Sequence, residues 1–132
     1  METKKQFIDI LNKEKYPYEI NDDNKIIIGG NIINSKLITY IPDNVVFNNN
    51  GYVFLYYLKE LGNNVIFNNK DFISLESIFY FDIFSVNFTN NVTDVYFGNE
   101  IFWMKDFPYE FYPNIKGKFK MKNKEGNYEI IK

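Results

Sequence analysis

Ile41-Pro42-Asp43-Asn44-Val45-Val46-Phe47-Asn48-Asn49-Asn50-Gly51-Tyr52-Val53-Phe54-Leu55 is followed by Leu61-Gly62-Asn63-Asn64-Val65-Ile66-Phe67-Asn68-Asn69-Lys70-Asp71-Phe72-Ile73-Ser74-Leu75, the same unit written again twenty residues later without a gap. A fixed period of this size marks stacked coils, because one such unit cannot bury its apolar face alone and needs a neighbour. Each copy offers two short strands, Val45-Val46-Phe47 and Tyr52-Val53-Phe54-Leu55 in the first. Between them lies an asparagine-rich corner, and Asn, Asp and Gly are the residues that tolerate left-handed backbone and bond their own main chain.

The period extends outward from this pair. Backward, Asn24 falls on Asn44, Ile26 on Val46, Ile33 on Val53 and Ile38 on Leu58. Forward, Val86 falls on Ile66, Val95 on Leu75 and Ile101 on Phe81. Ser35 takes the position of Leu55, and Thr93 that of Val53 and Ile73. The prediction is a mainly β chain: a short β-solenoid of about four coils over residues 25–98, in one domain. Residues 1–24 form an N-terminal helical cap and residues 99–132 a C-terminal cap ending in a β-hairpin.

The central copies sort inside from outside. Val53/Ile73, Leu55/Leu75 and Leu58/Ile78 stay large and aliphatic, as an interior of fixed volume requires. Phe54/Ser74, Tyr56/Glu76 and Tyr57/Ser77 change character, as solvent allows. Strand alternation gives the same split, with 53 and 55 on one face and 54 and 56 on the other. Coils ~4.8 Å apart place equivalent asparagines within reach of one another. Amide ladders are therefore expected through Asn24, Asn44 and Asn64, and through Asn48 and Asn68.

The flanks follow local rules. Thr3 and Gln6 have the spacing of a capping box, Phe7, Ile10 and Leu11 form a narrow apolar stripe over Thr3 to Lys13, and Pro17 bars continuation. Tyr18 to Ile20 and Lys25 to Ile28 read as a hairpin around Asn21-Asp22-Asp23-Asn24. That turn lacks the glycine and the bidentate glutamate of a calcium loop. The aromatic run from Ile101 to Pro113 is too irregular for one element, and Lys116 to Met121 and Asn127 to Ile131 alternate as a second hairpin.

Composition narrows the chemistry. The 132 residues contain no cysteine, histidine, arginine or alanine, against twenty asparagines and eighteen isoleucines. Thiolate and imidazole chemistry are excluded, and no cofactor or metal site is expected. The net charge of −2, with both signs interspersed, argues against a basic nucleic-acid face. Single-stranded nucleic acid stacked on aromatics would have only lysine for a rim. Gly29-Gly30 lacks the rest of a phosphate loop. Met1 to Lys5 carries no apolar leader and no stretch reaches the ~20 apolar residues of a membrane helix, so a cytoplasmic location without membrane contact is expected. Catalysis would fall to carboxylates such as Glu76, Asp82 and Asp94, as in a polysaccharide hydrolase. The chain is nevertheless expected to be non-catalytic, with a carbohydrate-binding or carbohydrate-active module presenting surface tyrosines as the alternative.

The phrase from Ile41 to Ile78 resembles a degenerate leucine-rich-like repeat of bacteriophage and mobile-element proteins, in which copies of about "L-P-x-x-V-x-F-N-N-G-G-x-V-x-L-x-x-L" follow a short helical segment. Pro42, Val45, Phe47, Asn48, Asn49, Val53, Leu55 and Leu58 match in one copy. Val65, Phe67, Asn68, Asn69, Ile73, Leu75 and Ile78 match in the next. Gly62 stands where the proline would be, and the fourth copy loses the Phe-Asn-Asn corner. The resemblance implies a binding scaffold in a phage-like setting, with anti-CRISPR inhibitors of a host nuclease or its ribonucleoprotein complex as candidates. It carries no catalytic residue set.

The candidate binding face combines Phe54, Tyr56, Tyr57, Glu76 and Tyr96, with Asp94 and Phe97 in the same outward ladder, because aromatics on a rigid sheet dominate interface energetics. Trp103, with Phe107, Tyr109 and Phe111, is a second patch that also suits cap packing. A free coil edge would let two copies pair as a homodimer.

Overall fold

The structure is a computed structural model and describes residues 4–78, 85–97, 119–122, 125 and 127–130. The chain begins with helix α1 (Lys4–Lys13), which buries Phe7 and Leu11 completely and packs Ile8 and Ile10 against the same core. Thr3, the expected N-cap, lies outside the described residues. The helix ends in a left-handed residue, Lys15 (φ 64°). Tyr16 N–H reaches back to Leu11 O at 2.9 Å and Lys15 N–H to Asn12 O at 3.2 Å. Those two bonds satisfy carbonyls the last helical turn would otherwise leave open, and Pro17 then starts a new direction.

Strands β1 (Tyr18–Ile20) and β2 (Ile26–Ile28) pair antiparallel, Glu19 opposite Ile27, as the hairpin reading expects. The Asn21 side chain shapes the turn by accepting from Asp23 N–H at 3.0 Å and Lys25 N–H at 2.9 Å. From β2 the chain winds as a β-solenoid of roughly 20-residue coils. One parallel stack contains β2, β5 (Val45–Phe47), β8 (Val65–Phe67) and β10 (Val86–Phe88). A second contains β3 (Ile33–Ser35), β6 (Val53–Leu55), β9 (Ile73–Leu75) and β11 (Val95–Phe97).

A third face escapes the two-strand reading of each coil. Strands β4 (Tyr40–Ile41) and β7 (Glu60–Leu61) pair in parallel, Tyr40 opposite Glu60. Each is only two residues long, too short for alternation to show in the sequence. The C-terminal hairpin, β12 (Phe119–Lys122) against β13 (Tyr128–Ile130), is antiparallel as expected, and β12 also adds in parallel to β11, so the hairpin lengthens the second stack.

The interior is one column of aliphatic and aromatic side chains, with Ile33, Val53, Ile73 and Val95 in successive layers and Ile38, Leu58 and Ile78 at the next corner, all fully buried. Phe47, Phe67 and Phe88 stack inside it, with centroids 4.9 and 5.3 Å apart and interplanar angles of 15° and 13°. The first spacing is that of paired strands, so the rings stack because their backbones are paired.

The strict twenty-residue step fails at both ends. Ile26 lies opposite Val45 rather than Val46, a step of 19. Val86 lies opposite Val65 rather than Ile66, a step of 21, and Val95 opposite Ile73 rather than Leu75, a step of 22. Thr93 therefore does not occupy the position of Val53 and Ile73. A one-residue slip would turn every core side chain outward, so the corners absorb the difference. The first corner is the short Gly29-Gly30-Asn31-Ile32, where Gly30 takes φ 82° against the Pro17 ring. The fourth gains a residue and buries Val92. The step of 21 is already in place at β10, before that corner, and it sets Phe88 on Phe67, so the aromatic stack continues where a step of 20 would put Asn87. Ile101 lies outside the described residues.

The change from Pro42 to Gly62 also has a physical cause. A Cβ at Gly62 would come within 2.7 Å of the Pro42 carbonyl carbon and of Asp43 N. Gly62 N–H instead bonds Ile41 O at 2.7 Å, and Asn63 N–H bonds the Asp43 carboxylate at 2.7 Å. The third coil lies so close on the second that only glycine fits there.

Candidate functional site

The outer face of the second stack carries the expected residues. Phe54, Ser74 and Tyr96 share one row by register. Phe54 and Tyr56 are half-buried, their rings 4.2 Å apart and tilted by 30°. Tyr57 is 52% exposed and 6.4 Å from Tyr56. The Lys36 ammonium, on the coil below, sits 5.2 Å from the Tyr56 ring centroid, within cation–π range. Glu76 lies half-buried on the coil above Tyr56, and Ser77 Oγ donates to Tyr56 O at 2.6 Å. Tyr96 meets Phe72 edge-on at 5.6 Å.

Two residues expected outside are inside. Ser74 is only 3% exposed, because its short side chain lies between the longer Phe54 and Tyr96 of its row. Phe97 lies opposite Leu75 and is fully buried, because the step has grown to 21 at β10 and to 22 at β11. Trp103, Phe107, Tyr109, Phe111 and Asp82 lie outside the described residues.

The sequence reading overlooked a second aromatic row. Tyr52 and Phe72 stack at 4.8 Å and 16° on the same outer face, one step before Phe54 and Ser74. Alternation run backward from Phe54 would have found Tyr52. Six aromatics, Tyr52, Phe54, Tyr56, Tyr57, Phe72 and Tyr96, thus occupy one face over three coils.

Among the described residues, the candidate carboxylates Glu76 and Asp94 do not lie opposite one another. Asp94 O accepts from Ile73 N–H, which aligns Asp94 with Phe72, four positions from Glu76. Along a strand that is on the order of 10 Å at ~3.3 Å per residue. A retaining glycosidase pair needs about 5 Å. Among the described residues no group of three or more Asp or Glu could hold a metal ion, and no helix is long and apolar enough to cross a membrane.

The asparagine ladders are real in the central coils and stop at the first. Asn64 Nδ2 donates to Asn44 Oδ1 and Asn68 Nδ2 to Asn48 Oδ1, both at 2.8 Å. Asn91 Nδ2 and Thr89 Oγ1 continue the second ladder onto Asn68 Oδ1. Asn24 is not the next rung below Asn44. It belongs to the β1–β2 turn, one residue out of step, and its Oδ1 accepts from the Lys4 ammonium. Asn24, Asn44 and Asn64 nevertheless all adopt left-handed backbone, with φ of 62°, 63° and 58°.

The N-terminal side of the aromatic face is closed by side chains. Tyr16 OH donates to Asn34 O at 2.8 Å and accepts from Asn34 N–H at 3.1 Å, so one hydroxyl satisfies both outward backbone groups at the middle of β3. Ser35 Oγ donates to the Glu14 carboxylate at 2.6 Å, which explains how a serine replaces Leu55 in the first layer. Burial, with Glu14 and Tyr52 nearby, raises the Tyr16 pKa above 10.0 against the opposing effect of the Asn34 bond. The folded state thus holds this proton more tightly than the unfolded chain. Its contribution is complete below pH 10 and is lost as pH rises through the higher folded value. Tyr40 shifts in the same direction, through burial and then Asp43 and Glu60. We expect stability to fall above pH 10 in denaturant titrations, and to fall less steeply in Tyr16→Phe.

Comparison of the chain with protein families, curated proteins and solved structures finds no match.

Proposed function

We propose that this chain is a non-catalytic protein-binding solenoid that docks through the aromatic outer face of its second stack. One observation carries the proposal: six aromatics share a face whose backbone is fixed by parallel pairing on both sides. Rigid rings give large contact area at small entropic cost, and Tyr with a neighbouring cation is the composition of an interface centre. The repeat's resemblance to phage and mobile-element coils suggests the setting. We place the protein in the host cytoplasm, with a bacterial CRISPR–Cas effector complex as the partner it inhibits. Net charge −2 and the lack of arginine favour contact with the protein part of that complex over its nucleic acid.

The test is phage plaquing in cells carrying a programmed CRISPR system. Expression of this protein should restore plaquing by the targeted phage. Tyr56→Ala combined with Tyr57→Ala should abolish the effect while leaving the circular dichroism spectrum unchanged and the protein folded at the assay temperature. Each truncation of a central interface ring removes ~2 kcal/mol, or roughly a thirtyfold loss in affinity. Plaquing that stays suppressed with the wild-type protein present would rule out the inhibitor role. Binding to a purified effector that is unchanged by the double substitution would rule out this face.

The stacked Tyr52–Phe72 pair favours a second reading, a carbohydrate-binding module that lays sugar rings on these aromatics. A glycan array showing no binding would remove it.

A further inference from the structure

We infer that Asn50 is a site of spontaneous covalent modification: its carboxamide cyclises onto the Gly51 nitrogen, and the corner ages to isoaspartate.

Asparagine becomes labile when its side-chain carbon can be reached by the backbone nitrogen of the next residue. Of the twenty asparagines, only Asn50 is followed by glycine, which puts no side chain in the way. The fold then separates Asn50 from its neighbours. Asn48 and Asn68 bond one another through their amides, and Asn49 spends its amide on Asn31 O, Gly51 O and Tyr52 O. Asn50 is exposed, and its one hydrogen bond runs from its own backbone N–H to Gly30 O at 2.8 Å. Among the described residues nothing bonds its carboxamide or the Gly51 N–H, so both reacting groups are unengaged.

The structure also requires the glycine. A Cβ at Gly51 would lie 2.8 Å from Asn31 O of the coil below. Tight stacking therefore selects the residue that makes its neighbour labile, and the same corner of the next coil escapes because it reads Lys70-Asp71.

The reaction balances without an added reagent other than water. Gly51 N gives its proton to solvent base and attacks Asn50 Cγ. The new N–Cγ bond forms as the Cγ–Nδ2 bond breaks, and Nδ2 leaves as ammonia. Water then opens the five-membered imide. Opening at the Cγ carbonyl gives aspartate. Opening at the main-chain carbonyl gives isoaspartate, whose backbone is one carbon longer. That extra carbon falls immediately before Gly51, whose carbonyl is held by Asn49 Nδ2 at 3.1 Å and by Asn69 Nδ2 at 3.2 Å. The isoaspartyl form should lose those two bonds and melt at a lower temperature than fresh protein.

The test is incubation of the folded full-length protein at 37 °C and mildly alkaline pH, beside a urea-unfolded sample. Intact mass should show exchange of one NH₂ for OH, and tandem spectra of the fragment from Leu37 to Lys59 should place it at Asn50. Isoaspartate methyltransferase should label the aged protein. Asn50→Ser, which removes the carboxamide at an exposed position with no side-chain bonds, should abolish both signals, whereas Asn48→Ser should leave them. Reaction of the unfolded sample with none in the folded one would overturn the inference, since the fold would then protect Asn50. So would first modification at another asparagine, or none in either sample.

Discussion

Phe67→Ala is expected to cost about 3–5 kcal/mol, the range for removing a buried phenylalanine. The ring is fully buried between Phe47 and Phe88, stacked on both. Two stacking contacts add to the transfer term, at roughly 0.5–1.5 kcal/mol each. Collapse into the hole is resisted from an unusual direction: the layers above and below are held at the strand-pairing distance, so Phe47 and Phe88 cannot close on each other without breaking the pairing of β5 with β8 and of β8 with β10. A domain of this size has ~5–15 kcal/mol of total stability, so the variant should lie near the edge of folding. Urea titration should show a much lower midpoint at an unchanged slope. A loss under about 1 kcal/mol would mean the ring is not where the stack puts it.

Asn69→Asp should be nearly as damaging at neutral pH, and the damage should depend on pH. Asn69 is fully buried, and its Nδ2 faces Gly51 O, Asp71 O and Phe72 O at 3.1 to 3.2 Å. Its Oδ1 has no partner, and neither does that of Asn49 in the coil below. Three converging carbonyls fix this orientation, because the flipped amide would set oxygen against oxygen. Aspartate replaces the donor with an acceptor and brings an unpaired charge, at a cost of ~3–5 kcal/mol. Burial and the carbonyl dipoles raise its folded pKa above the ~3.9 of an unfolded aspartate. The folded variant then binds its proton more tightly than the unfolded one, so its deficit relative to wild type shrinks as pH falls through the raised value. Asn69→Leu loses the donor without adding a charge, and its deficit should be flat with pH. Stability curves of the three proteins between pH 4 and 8 check this. A deficit of Asn69→Asp that stays constant or grows on acidification would contradict the corner geometry.

These two residues show what could be read from the sequence. The Phe47–Phe67 step was visible because both lie in the ungapped pair of copies, where identical spacing maps directly onto register. Phe88 was missed because one extra residue between β9 and β10 moves register without changing the strands it joins. Asn49 and Asn69 looked like any other corner asparagines. Continuing the alternation of Val45 and Phe47 by one step would have placed Asn49 inside, and Val65 and Phe67 do the same for Asn69. Chemistry misled at Ser74, where a change from Phe54 to serine suggested solvent but reflects a small residue enclosed by rings.

The binding face was legible in part for the same reasons. Tyr56 and Tyr57 stand out as aromatics at positions where the next copy is polar. Lys36 falls on Tyr56 by the same step of twenty that sets Ile33 on Val53, but the period does not show that its ammonium reaches the ring. The hydroxyl of Tyr16, which closes the edge of β3, comes from outside the repeat, and no period announces it.

The account rests on coils stacked so that inward side chains form one column and the aromatic rows are left on its flank. Methyl–methyl nuclear Overhauser effects in specifically labelled protein test this most directly. Contacts should run from Ile33 to Val53, from Val53 to Ile73 and from Ile73 to Val95, with none skipping a layer. Val53 showing no contact with Ile73, or contacting Val95 instead, would contradict the fold and remove the aromatic face with it.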